Sequence, residues 1–313
     1  MNKIIERIER EAGVPGLVSI LAQRLTPTDL QSLLLEVYRL RSSHRRPSDL
    51  LSSYESDRFV HPSSVLPGRL LAWEQIALSQ LPPEFQPLAL SPVCPLGTVS
   101  AVATVDQNWA VTTARNTEVV SDSTNVLALE CAIRRRRLVR TGRPMEPVHL
   151  AASHRLLRAQ RYDNPTALSH FSCFALCSAG RDQGNLRFEL EALGLHIRIY
   201  LRALRIFLGP GVPLHVSATD LSSGARDTLL ESRLLAPIRS EFESVECSVD
   251  EQRTGGRGYY LDLCFHIHAT HPAGQRLELV DGGAVNWTRR LLSNDKERLV
   301  ISGIGSERLC SEF

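Results

Sequence analysis

Apolar residues recur at helical spacing in the first fifth of the chain and alternate at strand spacing through much of the remainder. In MNKIIERIEREA, Ile4, Ile5 and Ile8 fall on one helical face. TPTDLQSLLLEVYRL opens with Thr26 and Pro27 as cap and first-turn residues, then runs apolar at helical spacing. RSSHRRPSDLLSSYESDRFVHPSS is polar and turn-rich and reads as a junction, so residues 1–65 are expected to form a small helical region.

From residue 66 the rhythm changes. LPGRLLAWEQIALSQL reads as a helix begun by Pro67, and PPEFQPLALSPVCPLGTV as an extended segment broken by prolines. NWAVTTAR and NTEVVS alternate like strands, and STNVLALECAIRRRRLV returns to helix, its arginines at the end that suits cations. PVHLAASHRLLRAQ ends extended, RYDNPTA is a turn, and LSHFSCFALCSAG is a buried strand. FELEALGLHIRIYLRALRIF is a long helix stopped by Gly209, Pro210 and Gly211, followed by the short strand VPLHVSA. GYYLDLCFHIHA, QRLELVDGG and RLVISGIG are three further strands, the last two separated by the helix NWTRRLLSN. Strands without regular alternation with helices predict an α+β fold, an antiparallel sheet of six or seven strands flanked by helices, spanning residues 66–313.

Composition narrows the class. Of the 313 residues, 43% are hydrophobic and 22% charged, enough apolar side chain for a substantial core. A net charge of only +2 supplies no global field for nucleic acid. The seven cysteines are scattered through apolar runs and have no zinc-type spacing, so the reading is reduced core thiols, a cytoplasmic location and no metal site. The N-terminus has no hydrophobic signal core, and no stretch of about 18 uncharged apolar residues predicts a membrane span.

Two stretches carry candidate chemistry. In ERLVISGIGSERLC, Gly303 and Gly305 after a strand either make a tight turn or let backbone approach a flat ligand, and Arg308 is placed to stack on a base or pair with phosphate. Arg158, two residues before Gln160, is costly to bury without an anion, whether a ligand phosphate or an internal acid.

The order of these segments resembles the class II aminoacyl-tRNA synthetase catalytic core, with the histidyl-tRNA synthetase branch nearest. The family's glycine-strand and Glu-Arg helix signature is matched by Gly303, Gly305, Glu307 and Arg308. Its R-x-E strand, loop and aromatic strand are echoed by Arg158, Gln160, His170 and Phe171, and its interface helix and proline-ended strand by residues 67–95. The histidyl branch's YY-x4-F strand corresponds to Tyr259, Tyr260 and Phe265, its glycine hairpin to Gly282 and Gly283, and its acid-x-Thr segment to Asp122 and Thr124.

The resemblance implies bound ATP, with Mg2+, in a homodimer. Arg158 and Arg308 would be the catalytic phosphate clamps, and Gln160, Phe171, Gly303, Gly305 and Glu307 would complete the nucleotide site. Asp122, Thr124, Cys173, Cys177, Tyr259 and Tyr260 would line the pocket for an amino acid or related acid, unless the tyrosines are simply buried aromatics.

The departures are equally specific. The acid of R-x-E is Gln160, whose amide can still bond a base. Cysteines stand at polar pocket positions, the R-G-L-D before the tyrosines is replaced, and Ala284, Val285 and Asn286 follow the hairpin where Arg-Tyr-Asp is expected. The chain ends after the last signature, and about 40 residues separate VSATDL from GYY, so neither anticodon-binding nor histidyl insertion domain is expected. Charging of tRNA is therefore not expected. ATP-dependent activation of an acid for another acceptor is, with an inactive regulatory or binding paralogue as the alternative.

Overall fold

Eight strands form one twisted mixed sheet around which the rest of the chain is laid. The structure is a computed structural model, and it describes residues 3–160, 169–222 and 226–313. The strands in the large sheet are β1 (Phe85–Pro87), β4 (Val148–Leu157), β5 (His170–Arg181), β6 (Leu214–Asp220), β7 (Val245–Val249), β8 (Leu263–Thr270), β9 (Arg276–Val285) and β10 (Glu297–Gly305). Their spatial order is β1-β4-β5-β10-β9-β8-β6-β7. The six central strands pair antiparallel, and each edge ends in a parallel pair, β1 with β4 and β6 with β7. The fold is thus α+β as expected, with eight strands instead of six or seven. β7 has only five residues and its exposed alternation is shallow, which is why it does not announce itself in the sequence. Val93–Pro95 (β2) and Thr117–Val119 (β3) form a separate two-stranded ribbon.

Strand alternation divides the side chains between two faces. Phe174 and Leu176 of β5, Val300 and Ile304 of β10, and Phe265 and Ile267 of β8 pack against the helices Pro67–Ser79 and Arg187–Leu208. Ala175, Cys177 and Ala179, with Leu299 and Ile301, face the helix Ser123–Arg140 and Trp287. This second layer covers only the β4-β5-β10 half of its face, so a concavity remains where β8, β9 and the end of β10 are left open.

Two buried polar assemblies stiffen the frame. Arg135 and Glu297 are both fully buried, joined by Nε–Oε2 and Nη2–Oε1 contacts of 2.8 and 3.0 Å, and Arg135 also donates to the carbonyls of Pro144 and Glu146. On the opposite face His149, Ser178, His196, Ser302 and Tyr200 form a continuous hydrogen-bonded chain. Burial holds His196 well below the usual histidine range, at about 3.

The N-terminal region contains the helices Lys3–Ala12, Pro27–Ser43 and Pro47–Ser56, with a short helical segment over Leu17–Ser19 and Ile20–Arg24, and none of these has a buried residue. The helix Pro47–Ser56 lies inside the stretch read as a junction; Pro47 at its first turn and Asp49, which accepts from the Arg46 N–H, are its start signals. NWAVTTAR is not a strand: Asp106 caps a single turn at Gln107–Trp109, and Thr112 makes only an isolated bridge to Glu118. The turn expected at 161–167 lies outside the described residues. Six of the seven cysteines are buried and Cys247 is half-buried, and all are free thiols. No helix among the described residues is long and apolar enough to cross a membrane.

Candidate functional site

The concavity on the open sheet face is a cavity of about 990 Å³, at the upper end of what small-ligand sites occupy. Its walls bring together residues from seven separate stretches of chain. Of the thirteen positions expected to form the nucleotide and substrate sites, twelve line it: Asp122, Thr124, Arg158, Gln160, Phe171, Cys173, Tyr259, Tyr260, Gly303, Gly305, Glu307 and Arg308.

Cys177 is the exception. It shares a face with Cys173, but four residues further along β5 it passes beneath the helix Ser123–Arg140, where its thiol contacts the Thr124 carbonyl at 3.8 Å. It is fully buried and supports the site from below instead of lining it. Burial, reinforced by Asp122, pushes the Cys173 thiol up to about 12, so it is a neutral wall and not a nucleophile.

Asp122 and Arg158 are placed by the start of that helix. Asp122 is the N-cap, its Oδ1 accepting from Thr124 N–H at 2.9 Å and Thr124 Oγ1 at 2.7 Å. Its Oδ2 lies 3.3 Å from Arg158 Nη2, while Arg158 Nε donates to the Ser121 carbonyl at 2.9 Å. The Arg158 guanidinium stands 5.1 Å from the centroid of the Phe171 ring. Both readings of Arg158 therefore hold at once: it is an internal ion-pair partner, and it is presented to the cavity on an aromatic support.

Arg308 differs. It is exposed, lines the cavity, and its guanidinium has no hydrogen-bond or ion-pair partner among the described residues. Neighbouring Glu307 is buried and already committed: Arg155 meets its two oxygens at 2.9 and 3.3 Å, and the Ser172 N–H donates to it at 2.8 Å. Glu307 is thus mainly a brace between β4, β5 and the helix Ser306–Glu312. Trp73 Nε1, bonding Ser306 Oγ at 3.0 Å, ties the same helix to Pro67–Ser79.

The glycines serve proximity. A Cβ on Gly303 would lie 3.3 Å from Cys173 Sγ, and one on Gly305 would meet only Arg308 Cβ at 3.7 Å, so both keep the cavity floor low. Gly282 and Gly283 do not form the expected hairpin but lie within β9, paired with β8 and β10; a Cβ there would lie 2.5 Å from the Phe265 and Tyr260 rings respectively, so these aromatics rest directly on the strand backbone. Burial raises the phenols of Tyr259 and Tyr260 well above the usual tyrosine range, and Tyr260 is oriented by Asp281.

Three contributors escaped the sequence reading. Arg58, from the N-terminal region, donates to the carbonyls of Ala159 and Gln160 at 2.6 and 3.2 Å and to Ser169 Oγ at 2.7 Å, joining the two strand ends that flank the site. Glu118 is buried and satisfied by N–H groups of Gly97 and Val99 and by Gln107 Nε2, which shapes the cavity wall at Val99. Asp281 lines the cavity across from Asp122; burial opposes its ionisation, but His266 and Arg253 outweigh that and hold its carboxyl below the usual range. Nothing in a lone Arg58 marks it, whereas Asp281 immediately precedes the Gly282-Gly283 pair.

No family model matches the chain, and no curated protein does. Solved structures do. Histidyl-tRNA synthetase from S. aureus, in its apo form, is similar over 80% of this chain and 68% of its own, at 12% identity and a TM-score of 0.57. The fold is class II synthetase-like. An ATP phosphoribosyltransferase regulatory subunit/histidyl-tRNA synthetase from Bacillus halodurans C has the same TM-score at 11% identity, covering 80% of this chain and 81% of that one. The RNA binding domain of threonyl-tRNA synthetase from Cryptosporidium parvum Iowa II is similar at a TM-score of 0.53 and 10% identity, over 78% and 64%. At these identities the likeness is one of fold, and the synthetase-like sheet is the floor on which the cavity stands.

Proposed function

We propose that the cavity binds ATP with Mg2+ and activates an amino acid or related carboxylic acid as its adenylate, for an acceptor other than tRNA. The observation that carries this reading is the convergence of Arg158 and Arg308 on one cavity floored by Gly303 and Gly305. The volume suits a nucleotide, Phe171 and the low floor suit a planar base, and two guanidinium groups suit a bent triphosphate.

In this mechanism a substrate carboxylate oxygen attacks the α-phosphorus in line and pyrophosphate leaves. Arg158 stabilises charge at the α-phosphate and Arg308 at the γ-phosphate; losing one such preorganised donor typically costs about 3 kcal/mol in the transition state. Phosphate would draw Arg158 away from Asp122, freeing that carboxylate for a substrate ammonium while Thr124 orients it. Tyr259 and Tyr260 form an apolar wall with buried phenols, and Cys173 leaves that wall uncharged. Magnesium bound with the nucleotide would offset part of the phosphate charge beside Arg158 and Arg308. The near-neutral net charge of +2 supports a small acceptor over a nucleic acid.

Exchange of labelled pyrophosphate into ATP, across a panel of amino and keto acids, tests the proposal. Exchange with one acid and its loss in Arg158→Ala support it. ATP binding without exchange for any acid favours the alternative, a regulatory paralogue. The Asp122–Arg158 pairing favours that alternative in one respect, because the substrate acid is already occupied by the clamp.

A further inference from the structure

Beyond the nucleotide site, the open face of β8 and β9 carries two half-buried histidines and a carboxylate that no adenylation step uses. His266 and His268 are two residues apart on β8 and so share that face. Their neighbour Glu278 reaches it by an irregularity of β9. The β8–β9 register runs His266 opposite Asp281 and Ile267 opposite Val280, then skips Leu279 and places His268 opposite Glu278. Regular alternation would have set Leu279 against His268 and turned Glu278 to the other face. The bulge inverts that parity and brings a carboxylate to the histidine pair, as bulges beside functional sites do.

The resulting distances are those of a ligand set. One donor atom from each of His266, His268 and Glu278 lies within 4.8 Å of the others. His266 Nε2 and Glu278 Oε2 are 3.4 Å apart, and two ligands of a tetrahedral zinc ion with bonds of about 2.0–2.1 Å are separated by about 3.4 Å. Two imidazoles and one carboxylate suit zinc over magnesium or calcium, which prefer all-oxygen shells. Three protein ligands leave the fourth position for water, as in catalytic zinc sites. Asp281 Oδ1 is also 3.4 Å from the same His266 Nε2 and is held at 2.9 Å by Arg253, so a second carboxylate stands on the ligand side of the ring and adds negative charge beside the ion.

We propose that His266, His268 and Glu278 form a zinc-binding site on the wall of the cavity. Glu278 and Asp281 both line that cavity, so the ion would add a Lewis-acidic position near bound substrate, independent of the phosphate clamps. One group opposes it: Arg276 donates to His268 Nδ1 at 3.3 Å and to His215 Nδ1, and its charge competes with an ion.

The test is titration of the full chain, stripped with chelator, with Zn2+ alone and with Co2+ as a spectroscopic probe, without ATP. One equivalent should bind, and the cobalt form should show tetrahedral visible bands without a sulfur-to-cobalt charge-transfer band. His266→Ala and His268→Ala should each weaken zinc by at least about 100-fold, beyond what loss of an outer partner costs. Arg276→Ala should tighten it, a gain that a misfolded variant would not give. Melting curves without metal establish that the histidine variants are folded. The proposal is overturned if wild type takes up no zinc, if uptake is unchanged in the histidine double variant, or if thiol alkylation alone abolishes it. Because ATP is absent, failure here is distinguishable from failure of the adenylation reading.

Discussion

Replacing Arg308 by alanine separates a ligand-binding arginine from a structural one. Its guanidinium is exposed on the cavity and has no partner among the described residues. In the folded protein it therefore contributes little, and a cation in the first turn of Ser306–Glu312 gains no favourable dipole interaction. A charge-assisted contact to phosphate is worth about 1.5–3 kcal/mol, so ATP affinity should fall roughly ten- to a hundredfold. Arg308→Lys should restore little, because a compact ammonium lacks the planar face. The neighbouring brace supplies the contrast. Arg155→Ala strips Glu307, only 1% exposed, of its bidentate partner and leaves the Ser172 N–H. A buried acceptor stripped in this way costs about 1–3 kcal/mol of stability. Calorimetric titration with ATP and magnesium, beside urea unfolding of both variants, reads the difference. The reasoning is refuted if Arg308→Ala lowers stability while ATP binds as before, or if wild type gives no heat at millimolar ATP.

Three further outcomes follow from the frame. Glu297→Gln leaves Arg135 charged and fully buried, which should cost about 3–5 kcal/mol and lower the melting temperature by roughly 10 °C; Arg135→Met with Glu297→Leu should recover most of it. His196 binds its proton at about 3 when folded and near 6.5 when unfolded, so its contribution is complete above pH 6.5 and is lost as pH falls towards 3; between pH 7 and 5 this amounts to about 2 kcal/mol, which His196→Asn should remove from the pH dependence of urea unfolding. Leu66 and Leu71, 73% and 65% exposed at the start of Pro67–Ser79, should be covered in a homodimer, so light scattering should give twice 34.8 kDa and Leu71→Glu should give the monomer.

What the sequence made legible follows from how local each signal is. Gly303, Gly305 and Arg308 lie within six residues; strand alternation sets the two glycines on one face, and the helix that starts at Ser306 carries Arg308 to the same cavity. The same rule misleads at Cys177, because alternation fixes a face but not what covers it; that depends on where the helix Ser123–Arg140 crosses, which no residue of β5 records. The parallel edge pairs were hidden for a related reason, since a five-residue strand such as β7 earns its place from β6 and not from its own pattern. The skipped Leu279 shows the limit most sharply. Read with unbroken alternation, Glu278 belongs with the core-facing residues and His266 and His268 have no third partner. One extra residue in β9 reverses that, so the feature that assembles the proposed zinc ligands is the one departure from the period by which the strand was recognised.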